Sequence, residues 1–104
     1  MPRRPYVLSL DADRDLDALF AYVATQSGVE RAIAVFDNIE DVLQRLARSP
    51  GLGRVRKDLN GSPRSFVVLR WIIFYEPMED RAGIYVWRVI DGSRDLRHLV
   101  VRPK

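Results

Sequence analysis

Four aspartates stand at alternate positions, Asp11, Asp13, Asp15 and Asp17, and suggest a carboxylate cluster. On a helix, residues two apart do not share a face, so only the i, i+4 pairs among them meet. Negative charge in a first helical turn is favoured by the helix dipole. The aspartates therefore read as capping and solvating groups, not as a metal site. His98 is the one histidine. A general base needs an orienting partner and a nucleophile, and no pattern around His98 supplies either. There is no cysteine, which excludes a disulfide scaffold, a thiolate zinc site and a thiol nucleophile. Gly51-Leu52-Gly53 follows a helix and lacks the Gly-Lys-Ser/Thr ending of a phosphate loop, so it reads as a helix stop. No cofactor and no metal are expected.

The basic residues are the stronger signal. Residues 1–50 hold six Arg against eight acids, whereas residues 51–104 hold eleven Arg or Lys against six acids. Of the 17 basic residues only Lys57 and Lys104 are lysine. Arginine suits bidentate contacts to carboxylate or phosphate. Arg54, Arg56, Arg64, Arg70, Arg88, Arg94 and Arg97 are interleaved with Phe66, Trp71, Tyr75, Tyr85 and Trp87, a pattern used on nucleic acids. These aromatics fall within strand candidates, where packing accounts for them. Arg88 interrupts an apolar strand and needs a partner such as Asp91, Asp95 or another protein.

The elements that position these residues follow from periodicity. The 104 residues fit one domain, 1–104. No apolar run approaches the roughly 18 residues of a membrane span. No apolar signal core follows Met1-Pro2-Arg3-Arg4-Pro5, so the cytoplasm is the expected compartment. Tyr6–Leu10 reads as a short strand. Asp11 or Asp13 then caps a helix bearing Leu16, Leu19, Phe20 and Val23 at i, i+3, i+4 and i+7, and Ser27-Gly28 ends it. A second helix carries Ala32, Val35, Phe36, Ile39, Val42, Leu43 and Leu46 and stops at Pro50-Gly51. The short connection predicts an antiparallel hairpin. Residues 51–64 read as loop. Strands follow at Ser65–Leu69, Trp71–Tyr75 and Ile84–Ile90, with a tight turn at Leu69-Arg70 and an acidic turn from Pro77 to Gly83. Asp95–Val100 reads as a short helical turn or an extended tail. The order β-α-α-β-β-β makes an α+β fold with a helical hairpin packed on a mainly antiparallel sheet.

Two of these strands are apolar on both faces. Trp71, Ile73 and Tyr75 alternate with Ile72 and Phe74, and Ile84, Val86 and Ile90 alternate with Tyr85, Trp87 and Val89. A sheet solvated on one side alternates apolar with polar residues. One hairpin covers one face, so the chain tail, a second copy or another protein must cover the other.

The chain also resembles a known family. The stretch Ala12-x-x-Asp15-Leu16-x-x-Leu19-x-x-Tyr22-Val23 is followed by Ala32-x-x-x-Phe36-x-x-Ile39, then by Leu46, Pro50 and Gly53. Next come Arg56-Lys57-Asp58-Leu59 and Ile72-Ile73-Phe74-Tyr75. The run Val86-Trp87-Arg88-Val89-Ile90-Asp91-Gly92-Ser93-Arg94-Asp95-Leu96 closes it. In order and spacing this is similar to the ParE branch of the RelE/ParE superfamily, toxins of type II toxin–antitoxin systems, over about residues 6–100. The resemblance implies the RelE/ParE toxin fold and inhibition of DNA gyrase by binding. It also implies a ParD-like ribbon-helix-helix antitoxin, through which alone the complex meets DNA.

The RelE branch instead implies a ribosome-dependent mRNA interferase. For that alternative the resemblance offers Arg56, Lys57 and Arg94, with His98 close by. It lacks the arginine expected where Ile72 stands and the late aromatic expected near Val100. RNA cleavage needs a base, an acid and charge stabilisation, so the ParE reading is preferred. A fold relative that has lost toxicity is a third possibility. Arg94, Arg97, Arg64 and Arg70 are the expected target-binding residues. Leu16, Phe20, Phe36 and Leu43 are expected to floor an antitoxin groove or to form the core beneath it. The Arg-rich second half is expected to attract acidic residues of the same antitoxin segment.

Overall fold

A computed structural model describes residues 6–103; Met1–Pro5 and Lys104, and with them the basic start of the chain, lie outside the described residues. The elements are β1 (Tyr6–Leu8), α1 (Leu10–Ser27), α2 (Val29–Arg48), a 3-10 turn (Pro50–Leu52), β2 (Arg54–Val55), β3 (Arg64–Val68), β4 (Trp71–Pro77), β5 (Ile84–Asp91) and α3 (Leu96–Leu99). The sheet runs β1-β5-β4-β3-β2. β1 lies parallel to β5, and the other neighbours are antiparallel. The expected α+β order is present. Within the expected loop 51–64, a 3-10 turn and the two-residue β2 add an edge to the sheet.

The hairpin forms as its periodicity requires. Ala12, Leu16, Leu19 and Val23 of α1 and Ala32, Val35, Ile39, Leu43 and Leu46 of α2 are buried. They pack on Tyr6, Val68, Trp71, Ile73, Tyr75, Ile84, Val86 and Val89 of the sheet. Gly28, at φ 91°, takes a backbone conformation that L side chains rarely adopt and joins the helices. Gly53 is more than a helix stop. A Cβ there would lie 2.8 Å from Cε1 and Cζ of Tyr75. The Tyr75 hydroxyl accepts from the Gly53 N–H at 2.8 Å and donates to the Pro50 carbonyl at 2.6 Å.

Helix α1 is capped by Ser9, not by Asp11 or Asp13. The Ser9 hydroxyl accepts from the Ala12 N–H at 2.9 Å and donates to the Trp87 carbonyl at 2.8 Å. The aspartates lose the cap because the helix starts two residues earlier than an Asp11 cap would give, where Ser9 is still tied to β5. β1 ends opposite Val86, so the outer edge of β5 continues without a strand. Exposed edge groups need partners, and Ser9 supplies one. Replacing Ser9 with alanine removes the cap and that donor together. We expect a loss of about 1–2 kcal/mol, read as a lower urea midpoint at unchanged slope.

The second face of the sheet is covered by the chain itself. Phe74, Trp87 and Ile90 are buried there with Leu59 and Val100, and Leu96 and Leu99 pack against them. Of the three covers open to the sequence, the tail, helped by the loop after β2, is the one found. A bulge helps to arrange this face. Tyr75 pairs with Val86 but Phe74 pairs with Arg88, which leaves Trp87 as the extra residue.

Candidate functional site

The bulge sets Arg88 opposite Phe74 at the edge that β1 has left. From there its guanidinium reaches α1. Nε and Nη2 donate to the two Asp15 oxygens at 2.7 and 2.9 Å, and Nη1 donates to the Leu99 carbonyl at 2.7 Å. Asp15 also accepts from the Val89 N–H at 3.0 Å, satisfying a second edge group of β5. Hydrogen bonding to Asp15 holds Arg88 above the ordinary guanidinium value, against the opposing effect of burial. The partner of Arg88 is therefore Asp15, not Asp91 or Asp95. A bidentate carboxylate sits within reach across the sheet edge, and Asp91 is taken by Arg70 and Ser93.

Beside this clasp, α1 and the end of β5 enclose a cleft of about 370 Å³. Arg70, Arg94, Tyr22 and Trp71 line it. The Arg70 guanidinium lies 5.6 Å from both the Tyr22 and the Trp71 rings and pairs with Asp91. Asp91 is held below the usual carboxylate range, first by the Ser93 N–H and then by the Ser93 hydroxyl and Arg70. Of the expected target-binding set, Arg70 and Arg94 thus share one cleft. Arg64 donates to the Gly53 carbonyl at 2.7 Å, and Arg97 is exposed on α3; neither lines the cleft.

Of the four residues offered for RNA cleavage, only Arg94 lines the α1–β5 cleft. The Arg56 Nε and Nη2 are spent on Asp58 at 2.9 and 2.7 Å, and its plane lies 5.8 Å from the Phe74 ring. Lys57 is exposed in the following turn. Arg94 lies in the α1–β5 cleft. The His98 side chain is 87% exposed, with Asp95 at 3.7 Å. Hydrogen bonding from Arg56 brings Asp58 down to about 2. Because the folded value lies below the unfolded one, near 3.9, the pair's contribution is present above pH ~4 and is lost as pH falls through about 2. Replacing Arg56 with alanine should raise the Asp58 pKa toward the ordinary carboxylate range, followed by NMR titration of its carboxyl carbon.

On the other side of α1 a groove is lined by Leu16, Phe36 and Leu43 together with Tyr6, Leu8 and Ile39. Leu16 and Leu43 are core residues whose edges reach it. Phe20 does not line the groove; it meets Phe36 edge-on, with ring centroids 6.2 Å apart.

A model of the ParE toxin of type II toxin–antitoxin systems (parDE) matches residues 6–96, spanning both grooves and the clasp. The chain belongs to the ParE toxin family. It is 37% identical to Toxin ParE3 of Caulobacter vibrioides over 82 residues, which cover 79% of this chain and 80% of that protein. It is 29% identical to Toxin ParE1 of the same organism over 96 residues, covering 90% and 95%. Its fold is that of a solved chain of the chromosomal ParDE toxin–antitoxin system from P. aeruginosa, at a TM-score of 0.70 and 17% identity, covering 83% of this chain and 92% of that one. Membership of the ParE toxin family implies an antitoxin partner.

Two features of this ParE-family chain, Asp15 and Tyr22, carry only a weak signal in the sequence. In the sequence Asp15 reads as one of four solvated aspartates. Yet it lies three residues after Ala12 and four before Leu19, beside the buried stripe, and that spacing marks a carboxylate turned toward the sheet. Tyr22 was read only as part of the family motif. It is the exposed aromatic on which Arg70 rests.

Proposed function

We propose that this toxin inhibits DNA gyrase in the cytoplasm by binding it, without chemistry of its own. A ParD-like ribbon-helix-helix antitoxin neutralises it and supplies the DNA contacts of the complex. The observation that carries this reading is how the RNase candidates are engaged. Arg56 is committed to Asp58, Arg94 lies in the α1–β5 cleft, and His98 stands at the surface. Cleavage between adjacent phosphates needs an acid, a base and charge stabilisation converging on one bond. Binding needs only a surface, and the cleft with Arg70 and Arg94 is the one we assign to the target, with the exposed Arg97 of α3 as a further contact.

The test is direct. Purified toxin should inhibit supercoiling by gyrase and leave ribosome-bound messenger intact. Arg94→Ala or Arg97→Ala should relieve growth arrest with little change in melting temperature, since exposed substitutions shift stability by about 0.5 kcal/mol or less. Codon-specific messenger cuts with gyrase unaffected would reverse the assignment.

A further inference from the structure

The two grooves flanking α1 carry opposite charge. The α1–β5 cleft holds Arg70, Arg88 and Arg94 against Asp15 and Asp91. The groove over the hairpin has an apolar floor, including Leu8, Phe36 and Ile39, and its charged lining residues are Asp13, Asp17 and Glu40. No Arg, Lys or His lines it among the described residues. Asp13 and Asp17 lie i, i+4 on one face of α1, a like-charge pair that opposes the free helix. Glu40 accepts from the Tyr6 hydroxyl at 2.7 Å, a neutral donor that brings no positive charge. Among the described residues no cation is paired with any of the three carboxylates.

We propose that this groove takes an amphipathic segment of the antitoxin whose apolar anchors are flanked by lysine or arginine. This rests on the reading that an antitoxin neutralises the chain. It reverses the charge expected from the Arg-rich second half, because the groove is built from the acidic first half. The apolar floor supplies affinity by burial. The rim sets register and orientation, admitting a basic flank and rejecting an acidic one.

Two synthetic helical peptides test the charge rule on the full-length chain. Both carry leucines at i, i+4 and i+7; one flanks them with lysine, the other with glutamate. At about 0.05 M salt the lysine peptide should bind roughly tenfold more tightly, as two or three partly exposed ion pairs would give. Asp13→Lys/Asp17→Lys should invert that order, and about 0.5 M salt should remove it. Equal binding of the two peptides, or a preference that survives the charge reversal, overturns the proposal. An Arg3→Ala/Arg4→Ala variant that binds the lysine peptide more tightly would assign the groove to the chain's own start. A dimer abolished by Asp13→Lys/Asp17→Lys would assign it to a second copy. Either result overturns the proposal.

Complex formation with the antitoxin encoded beside the toxin separates the two levels. If Phe36→Lys and the charge reversal both weaken the complex, the inference stands. If only Phe36→Lys weakens it, the charge rule fails while antitoxin seating holds. If neither does, the antitoxin binds elsewhere and both levels fail.

Discussion

Replacing Asp15 with alanine should lower the folding free energy by about 2–4 kcal/mol, a large share of what a domain of this size has. Its carboxylate makes three hydrogen bonds, two from Arg88 and one from the Val89 N–H. The side chains of the pair are only 19% and 16% exposed, so water replaces them poorly. Removing one partner leaves the other charge largely buried, and that residual cost dominates. For about one hundred residues the melting temperature should fall by roughly 10–20 °C. Adding Arg88→Met to Asp15→Ala should recover part of the loss, because the orphaned charge is then gone. A fall of less than about 1 kcal/mol, or a double variant worse than the single one, would mean the pair is no more than a surface bridge.

Trp87→Ala should cost still more, about 3–5 kcal/mol. Trp87 is fully buried on the second sheet face, where Leu59, Phe74, Ile90 and Val100 surround it. Gly61, at φ 84°, packs against it so closely that a Cβ would lie 2.8 Å from Cη2. The Arg102 guanidinium lies 5.2 Å above the ring and pairs with Glu76 at 3.0 Å. The tail is therefore seated on this indole, and its loss should expose residues 95–103 to protease before the core unfolds. Trp87→Phe should cost only about 1–2 kcal/mol. The indole N–H has no hydrogen-bond partner among the described residues, so only volume is lost. Equal costs for the two variants would indicate that the N–H is engaged after all.

What could be read from the sequence and what could not divides by distance along the chain. The hairpin, the strands β3 to β5 and the Leu69-Arg70 turn each follow from a local period or a local breaker, and they stand close to where those signals put them. The apolar character of both sheet faces was legible too. The identity of the second cover was not, because a tail of four helical residues, Leu96–Leu99, carries no pattern that says where it lies. Ser9 has no local advantage as a cap over the aspartates after it. Its advantage is a second hydrogen bond to Trp87, 78 residues away. Arg88 needs a carboxylate, and Asp91 and Asp95 are the ones its neighbourhood in the sequence offers. The one used is 73 residues distant and was hidden among three similar aspartates. Of the residues named for the antitoxin groove, Leu16, Phe36 and Leu43 do line one groove. The acidic rim came from Asp13, Asp17 and Glu40, which only the packing of α1 against α2 gathers together.

The parallel pairing of β1 with β5 has a consequence for how the molecule comes into being. Tyr6, Val7 and Leu8 find their ladder partners at Ile84, Tyr85 and Val86, near the other end of the sheet's sequence. During synthesis the chain emerges from its start. The first strand and the whole apolar face of the hairpin are therefore made long before the strand on which both depend. The local pairs β3–β4 and β4–β5 close early and cheaply, whereas β1 waits for a closure that spans most of the chain. Until β5 is made, the apolar stripes of the hairpin segment thus have no sheet to cover them. A quality-control protease or a prematurely bound partner would meet that surface, not the finished one.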